Sequence, residues 1–429
     1  MTRIYGTHCC GQECPRAGLA AALATWPGLG YSKPARDKTG PMQTVYFDYN
    51  ATTPVDPQVR EAMLPFLGEI WGNPSSVHQV GRQARAHLDD ARDRAAKVLG
   101  AKPSEIVFTA GGTESANLAI LGTARLLKPK GRHIITSAIE HHAVLRCCEY
   151  LAQREGFEVT ILPVDRAGLV ATDALARALR PETILVSIMA ANNEIGTIQP
   201  VAELGALCRQ QGVAFHTDAV QWLGKEPFDS IHQFNADLVS ICAHKIHGPK
   251  GAGALYVRSP LQPAPIALGG SHENERRAGT ENLAGIMGLV EAMERFVRRV
   301  VFDRERLAPL TGRLLQLIER LPGVQFVGSP DRRLANTVSF VVEGSDSLPL
   351  LAGLDLEGIC ASSGSACSAG SLEPSHVIAA LGVDKRLANS LVRFSLGRES
   401  TLAEVELVEG ILPEVIQRAR RQGAAVSGS

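Results

Sequence analysis

A chain of 429 residues with 44 basic and 44 acidic side chains can bury a sizeable core and divides most naturally into two domains. Balanced charge without blocks of one sign argues against a nucleic-acid or membrane surface. The longest uncharged apolar stretch near the start, residues 17–26, is too short to span a bilayer.

Cysteines number nine, an odd count with no pair of CxxC motifs, so neither a disulfide framework nor a structural zinc site is expected. A reducing cytoplasm suits that usage. Three of them, Cys9, Cys10 and Cys14, fall in residues 1–42, which lack hydrophobic periodicity and carry several glycines and prolines. A disordered extension, or a start codon ahead of Met42, is the expected reading; a metal knuckle or a targeting peptide is the alternative.

From residue 45 the pattern alternates between helix and strand. Residues 79–99 form an amphipathic helix, with Leu88, Ala91, Ala95 and Val98 near helical spacing and Gly100 as its stop. Short apolar strands follow at 106–109, 133–136, 159–162, 184–189, 214–217 and 238–241, with helices between most of them, such as 172–179 and 201–211. That order describes an α/β domain with a mostly parallel sheet covered on both faces. A helix from 284 to 299 and onward then leads from a large domain, residues 43–300, to a smaller α+β domain, residues 301–429. The smaller domain has strands at 337–342, 358–361 and 391–395, and the first residues of the large one are free to join it.

Chemistry-bearing residues cluster where these strands end. After the first strand, Thr109 to Asn117 places Gly111, Gly112 and Thr113 before a helix, a cradle for phosphate built from free N–H groups and a hydroxyl. Glu114 could instead merely close the helix cap. The spacing matches neither the Walker loop nor GxGxxG, which disfavours a nucleoside triphosphate or a dinucleotide.

The next strand leads to Glu140-His141-His142, where His141 can lie flat against a planar cofactor and move protons near neutral pH. No HExxH pattern supports a metal, and none is expected. Further on, Asp218 in His216-Thr217-Asp218-Ala219-Val220-Gln221 is a carboxylate at a buried strand end that calls for a cationic partner; a protonated pyridine nitrogen would serve.

Finally Cys242-Ala243-His244-Lys245-Ile246-His247-Gly248-Pro249-Lys250-Gly251 seats a lysine at the carboxyl end of a buried strand, where active sites of open α/β sheets lie. An amine with an ordinary pKa of about 10.4 attacks a carbonyl only where burial or nearby positive charge frees its lone pair.

Phosphate cradle, stacking histidine, aspartate and lysine stand in the order used by fold-type-I pyridoxal-phosphate enzymes, and the details resemble the NifS-type cysteine desulfurases of the class V aminotransferase family. Ala51-Thr52-Thr53-Pro54, Gly72-Asn73-Pro74-Ser75-Ser76, Ala191-Asn192-Asn193-Glu194-Ile195-Gly196, Arg277-Ala278-Gly279-Thr280-Glu281-Asn282 and Ser362-Ser363-Gly364-Ser365-Ala366-Cys367 carry the likeness, which runs from residue 45 through the last helix. It implies a seven-stranded, mostly parallel sheet.

It also implies that pyridoxal 5'-phosphate forms an imine with Lys245, which then removes the α-proton of L-cysteine. Gly112, Thr113, His244 and the preceding Cys242 and Ala243 hold the phosphate, Asp218 the pyridinium, and Gln221 the ring oxygen, while His141 stacks on the ring and shuttles protons. Arg393, assisted by Asn193, clamps the substrate carboxylate, and Thr280 reaches into the partner's site of a homodimer.

Cys367 sits in a run of small residues that reads as a mobile loop, and only about 3 per cent of an ordinary thiol is ionised at pH 7. By resemblance it receives the substrate sulfur as a persulfide, with L-alanine as co-product, and passes it to an acceptor such as an iron-sulfur scaffold. A selenocysteine lyase or related aminotransferase, or a non-catalytic sulfur-relay protein, would share much of this pattern. Cys242 and Ala243 depart from a family that often has serine three residues before the lysine; a thiol is a weaker donor than a hydroxyl, which weakens the phosphate site.

Overall fold

The computed structural model describes residues 44–364 and 374–427, leaving out the side chains of 385 and 423–427. Its strands, in chain order, are β1 (Val45–Tyr46), β2 (Ile106–Thr109), β3 (His133–Ser137), β4 (Glu158–Leu162), β5 (Thr183–Ser187), β6 (Ala214–Asp218), β7 (Leu238–Cys242), β8 (Gly253–Val257), β9 (Val324–Phe326), β10 (Thr337–Val342), β11 (Ile359–Cys360) and β12 (Val392–Ser395). Seven of them form one sheet in the order β2-β8-β7-β6-β5-β3-β4.

Only β8 runs against its neighbours; β7, β6, β5, β3 and β4 are mutually parallel. Every residue of β2, β3, β5, β7 and β8 is buried. Helices on both faces leave no wet side, so these strands read as continuous apolar runs rather than as alternation. Because β2 and β7 are both antiparallel to β8, they point the same way, and the turns after Thr109, Ser137, Asp218 and Cys242 gather at one edge of the sheet.

Outside this sheet the sequence pattern did not announce β1 and β9; within it the unannounced strand is β8. Its residues follow a glycine-rich turn directly, and β7 returns through that turn as a hairpin rather than through a helix. The helix expected over 284–299 is Leu283–Phe296, capped by the Asn282 side chain on Gly285 N–H at 3.1 Å, and a second helix, Arg304–Arg320, follows after a break. The helix Gln79–Leu99 ends at Gly100, whose φ of 68° is the left-handed conformation that closes a helix without a Cβ penalty. It packs against Leu283–Phe296 on the outside of the sheet.

A second core joins Val45 and Phe47 to Phe302, Leu314, Val338, Phe340, Phe394 and Leu412. Its three-stranded antiparallel sheet, β12-β10-β9, is accompanied by the parallel pair β1-β11. The described residues therefore begin among C-terminal elements. The chain then crosses to the large sheet through residues 48–56: Tyr49 N–H donates to Ser395 O at 3.0 Å, Thr53 N–H to His244 O at 3.0 Å and Asp56 N–H to His247 O at 2.9 Å. This crossing lays Asp48, Asn50 and Ala51 beside the loop that carries Lys245.

Candidate active site

Lys245 lies three residues beyond β7. Its Nζ donates to the backbone carbonyls of Asn50 and Ala51, each at 2.6 Å. Burial pushes its pKa below the ordinary lysine value, and the nearby Arg393 charge acts in the same sense. An amine so placed is nearer to its neutral, nucleophilic form than a surface lysine.

One strand over, Asp218 ends β6 with only 8 % of its surface exposed. Its Oδ1 accepts from Val220 N–H at 2.9 Å, and no side-chain cation pairs with it among the described residues. Burial raises its pKa to about 6, against the opposing pull of Val220 N–H and the Lys245 charge. A buried carboxylate left with one backbone donor has room for a charged N–H partner, which is what a pyridinium ring would supply.

His141 caps the helix His142–Glu155, its Nδ1 accepting from Ala143 N–H at 3.1 Å. That acceptor role assigns the ring proton to Nε2. Burial, then the charges of Lys245, His142 and His376, lowers its pKa to about 4. His244 bonds Thr52 Oγ1 through Nδ1 at 3.2 Å, and burial together with Lys245 and Lys250 brings it to about 4 as well. Both rings are neutral near pH 7.

The cradle opens at Gly111, φ 150°, followed by a helix starting at Gly112 without a side-chain cap. A Cβ on Gly253 would meet Gly111 Cα and Ile241 O, each at 2.7 Å, and one on Gly112 would meet Val220 Cγ2 at 2.8 Å. Gly253 is thus held as glycine by backbone contact, and Gly112 has only the Val220 side chain in its way. Thr113 is exposed beside Gly112, and Glu114 caps none of the helix N–H groups: it accepts from the loop N–H of Ala110 at 2.7 Å and pairs with Arg277 at 2.8 Å. Cys242 is buried at the end of β7, its Cβ 3.8 Å from a Cβ built on Gly112, and burial drives its thiol up to about 11. Ala243 turns the chain by accepting from Ile246 N–H and Gly248 N–H.

Arg393 comes from β12 and is 1 % exposed. It pairs with Asp48 at 2.6 Å and donates to the carbonyls of Asn193 at 2.8 Å and Gly364 at 2.5 Å, and its Nε has no partner among the described residues. Asn193 meets it through the backbone, not through its side-chain amide. Gln221 turns its Nε2 onto Asn50 O at 3.0 Å and its Oε1 onto Lys225 at 2.5 Å. Thr280 is exposed and makes no hydrogen bond to this cluster. Cys367 lies outside the described residues; those flanking it reach the site, Gly364 at Arg393 and Ser375 at Glu194 Oε2, 2.5 Å.

Gly111, Asp218, His141 and Lys245 thus line one edge of the sheet, a backbone nest, a carboxylate, a neutral ring and an amine in the arrangement a phosphorylated pyridine aldehyde requires. The family model described as Aminotransferase class-V matches residues 45–408. The chain belongs to the class-V aminotransferases.

Among curated members, the cysteine desulfurase IscS of Dictyoglomus turgidum is 48% identical over 377 residues, 88% of this chain and 95% of that one. The protein of the same name from Methanosarcina thermophila is 47% identical over 378 residues, covering 88% and 93%. A solved structure described as a NifS-like protein superposes with a TM-score of 0.81 at 38% identity, over 88% of this chain and all of that one.

Within this class-V site, sequence reasoning passed over Asn50, Asp48 and Lys225. Asn50 stands directly before the Ala51-Thr52-Thr53-Pro54 motif, so adjacency was the available signal. Lys225 follows Gln221 by four residues inside an otherwise apolar turn, an odd place for a cation.

Proposed function

We propose that this protein is a pyridoxal-phosphate-dependent cysteine desulfurase. In the balanced reaction, L-cysteine and the Cys367 thiol give L-alanine and a Cys367 persulfide. The observation that carries the reading is the neighbouring pair of strand ends: a depressed lysine amine at 245 and a buried carboxylate at 218 that pairs with no cation among the described residues. Kinship with desulfurases at 48% and 47% identity selects this chemistry among class-V reactions.

When bound, the cofactor supplies an electron sink for cleavage of the carbon–sulfur bond. The backbone N–H groups from Gly111 to Thr113, with Thr113 Oγ1 and His244, hold its phosphate. Asp218 would favour a proton on the ring nitrogen, and His141, whose Nδ1 is taken by Ala143 N–H, would have its Nε2–H available beside the ring for proton exchange. Lys245 offers an amine whose burial shifts it toward the neutral form needed of a nucleophile and then a base. Arg393 receives the substrate carboxylate through its Nε and by exchanging its carbonyl partners.

Persulfide sulfur would then pass to an acceptor of the iron-sulfur assembly kind. A homodimer in a reducing cytoplasm completes the reading. Exposed Trp71, Val77 and Leu268, at 73%, 87% and 85%, offer apolar surface for a second copy, and Thr280 is free to serve its site. The five cysteines among the described residues are all free thiols.

Purified protein given L-cysteine and a reductant should release sulfide and alanine in equal amounts. Cys367→Ser should keep the visible cofactor band and lose persulfide; undiminished sulfide from that variant removes Cys367 from the scheme. Sedimentation of the pure protein reads the dimer.

A further inference from the structure

The turn after β6 buries a second lysine that the scheme above does not use. Lys225 is 2 % exposed. Its Nζ donates to Asn50 Oδ1 at 2.6 Å and Gln221 Oε1 at 2.5 Å, and it stands 4.9 Å from the centre of the Phe302 ring. Nζ thus meets two amide oxygens and an aromatic face, while burial pushes its pKa well below the ordinary lysine value. No carboxylate bonds to it among the described residues; the charged or ionisable groups acting on it are Lys245, Arg393 and Cys242.

This contact fixes which way the Gln221 amide faces. Nζ acts as the donor to both Asn50 Oδ1 and Gln221 Oε1, and a flipped amide would turn its NH2 against those N–H groups. With Oε1 committed to Lys225, Nε2 must face the other way, and there it donates to Asn50 O at 3.0 Å. The same carbonyl accepts from Lys245 Nζ at 2.6 Å, so the Gln221 donor and the reactive amine share one acceptor. In pyridoxal the ring oxygen sits next to the aldehyde carbon that joins the amine, so a donor beside Lys245 is a donor beside that oxygen.

Asn50 is pinned in turn. Its Oδ1 also accepts from Asn336 Nδ2 at 3.1 Å, and its Nδ2 donates to Asn193 O at 3.1 Å and Thr337 Oγ1 at 2.9 Å. Lys225 therefore stands at the junction of the cofactor edge with the sheet that carries Arg393.

We propose that Lys225 is a positioning residue: by binding Gln221 Oε1 it locks the amide as a hydrogen-bond donor to the ring oxygen of the bound cofactor. The proposal rests on the reading of Gln221 as that oxygen's partner. An oriented donor favours the form of the bound chromophore that has lost the proton shared between ring oxygen and imine nitrogen.

The test is the pH titration of the visible band of the holoenzyme, without substrate, in parent, Lys225→Met, Gln221→Ala and the double variant. Losing the oriented donor should raise the titration midpoint by about one pH unit in either single variant, the size expected for a hydrogen bond to a charged group. The double variant should match Gln221→Ala alone. An unmoved midpoint in Gln221→Ala removes the premise about Gln221. A shifted Gln221→Ala with an unmoved Lys225→Met overturns the role of Lys225, and additive shifts overturn it too, since they make Lys225 a charge acting through space. Should Lys225→Met fail to fold, Lys225→Gln enters the same cycle, whose coupling decides the question in the same way.

Discussion

Arg393 and Asp48 form an ion pair of 2.6 Å in which the guanidinium is 1% exposed and the carboxylate side chain 20%. Asp48 arrives on the crossing segment from β1, and Arg393 on β12, so the pair fastens that segment to the smaller sheet. A nearly buried guanidinium that loses its carboxylate is costly. Asp48→Ala should therefore destabilise the protein by about 3 kcal/mol, the partly exposed carboxylate keeping the figure at the low end for such losses. The product L-alanine, whose carboxylate can take the vacated place, should restore part of that loss. Urea unfolding with and without L-alanine measures both; equal losses in the two conditions would mean that Arg393 does not receive carboxylates.

His141 makes a prediction about pH. Its folded-state pKa of about 4 lies below the ordinary 6.5, chiefly because the ring is buried and next because Lys245 is charged. The folded protein then binds fewer protons than the unfolded chain between those values, so this group contributes stability above pH 6.5 that is lost as pH falls through about 4. Lys245→Met should raise the His141 midpoint without bringing it to 6.5, because burial persists. Histidine resonances followed by NMR read the midpoint, and a drop in the variant would contradict the geometry. His141→Asn should flatten the fall in unfolding free energy over the same pH window.

How much of this was legible beforehand follows from the range of the contacts. Lys245, Asp218 and the Gly111–Gly112 nest were readable because each is a strand followed by its own turn, a signal held within about ten residues. Strand β8 escaped because a hairpin return after glycines looks like loop, and nothing in Gly253–Val257 alternates when both faces are buried. The Asn50 hub was out of reach for another reason. Its bonds to Lys225, Asn336 and Thr337 span 175, 286 and 287 positions, and only the fold brings those amides together. Likewise Arg393 could be named as a carboxylate clamp, whereas its commitments to Asp48 and Gly364 required coordinates.

Cys242 tests the weak point noted in the phosphate site. Its thiol is buried beside the Gly112 cradle and held in the protonated form by that burial, with a pKa of about 11. Serine at this position offers a stronger donor of nearly the same volume. One added hydrogen bond of about 1 kcal/mol corresponds to a roughly five-fold gain in affinity. Cys242→Ser should therefore retain pyridoxal phosphate longer on dialysis and bind it more tightly when the stripped protein is titrated. Unchanged or weaker binding would show that the phosphate does not lean on this side chain.

Glu140 precedes His141 and is fully buried, its Oε1 accepting from Ser137 Oγ at 2.5 Å and Met189 N–H at 3.0 Å while Oε2 has no partner among the described residues. Burial raises its pKa to about 8, with the Asp218 charge adding to the effect, so the carboxyl is protonated at neutral pH. A group raised in this way contributes stability that is complete below its ordinary value of 4.5 and is lost as pH rises through about 8. Glu140→Gln keeps the shape and an acceptor for both donors, so it should cost less than about 1 kcal/mol at pH 6. Above pH 8 it should be the more stable of the two proteins, because the parent must then ionise a buried carboxyl or unfold. Parallel denaturant titrations at pH 6 and pH 9 measure the crossing. A parent that keeps its advantage at the higher pH would mean that Glu140 is already charged in the folded protein, with Oε2 bonded to a donor.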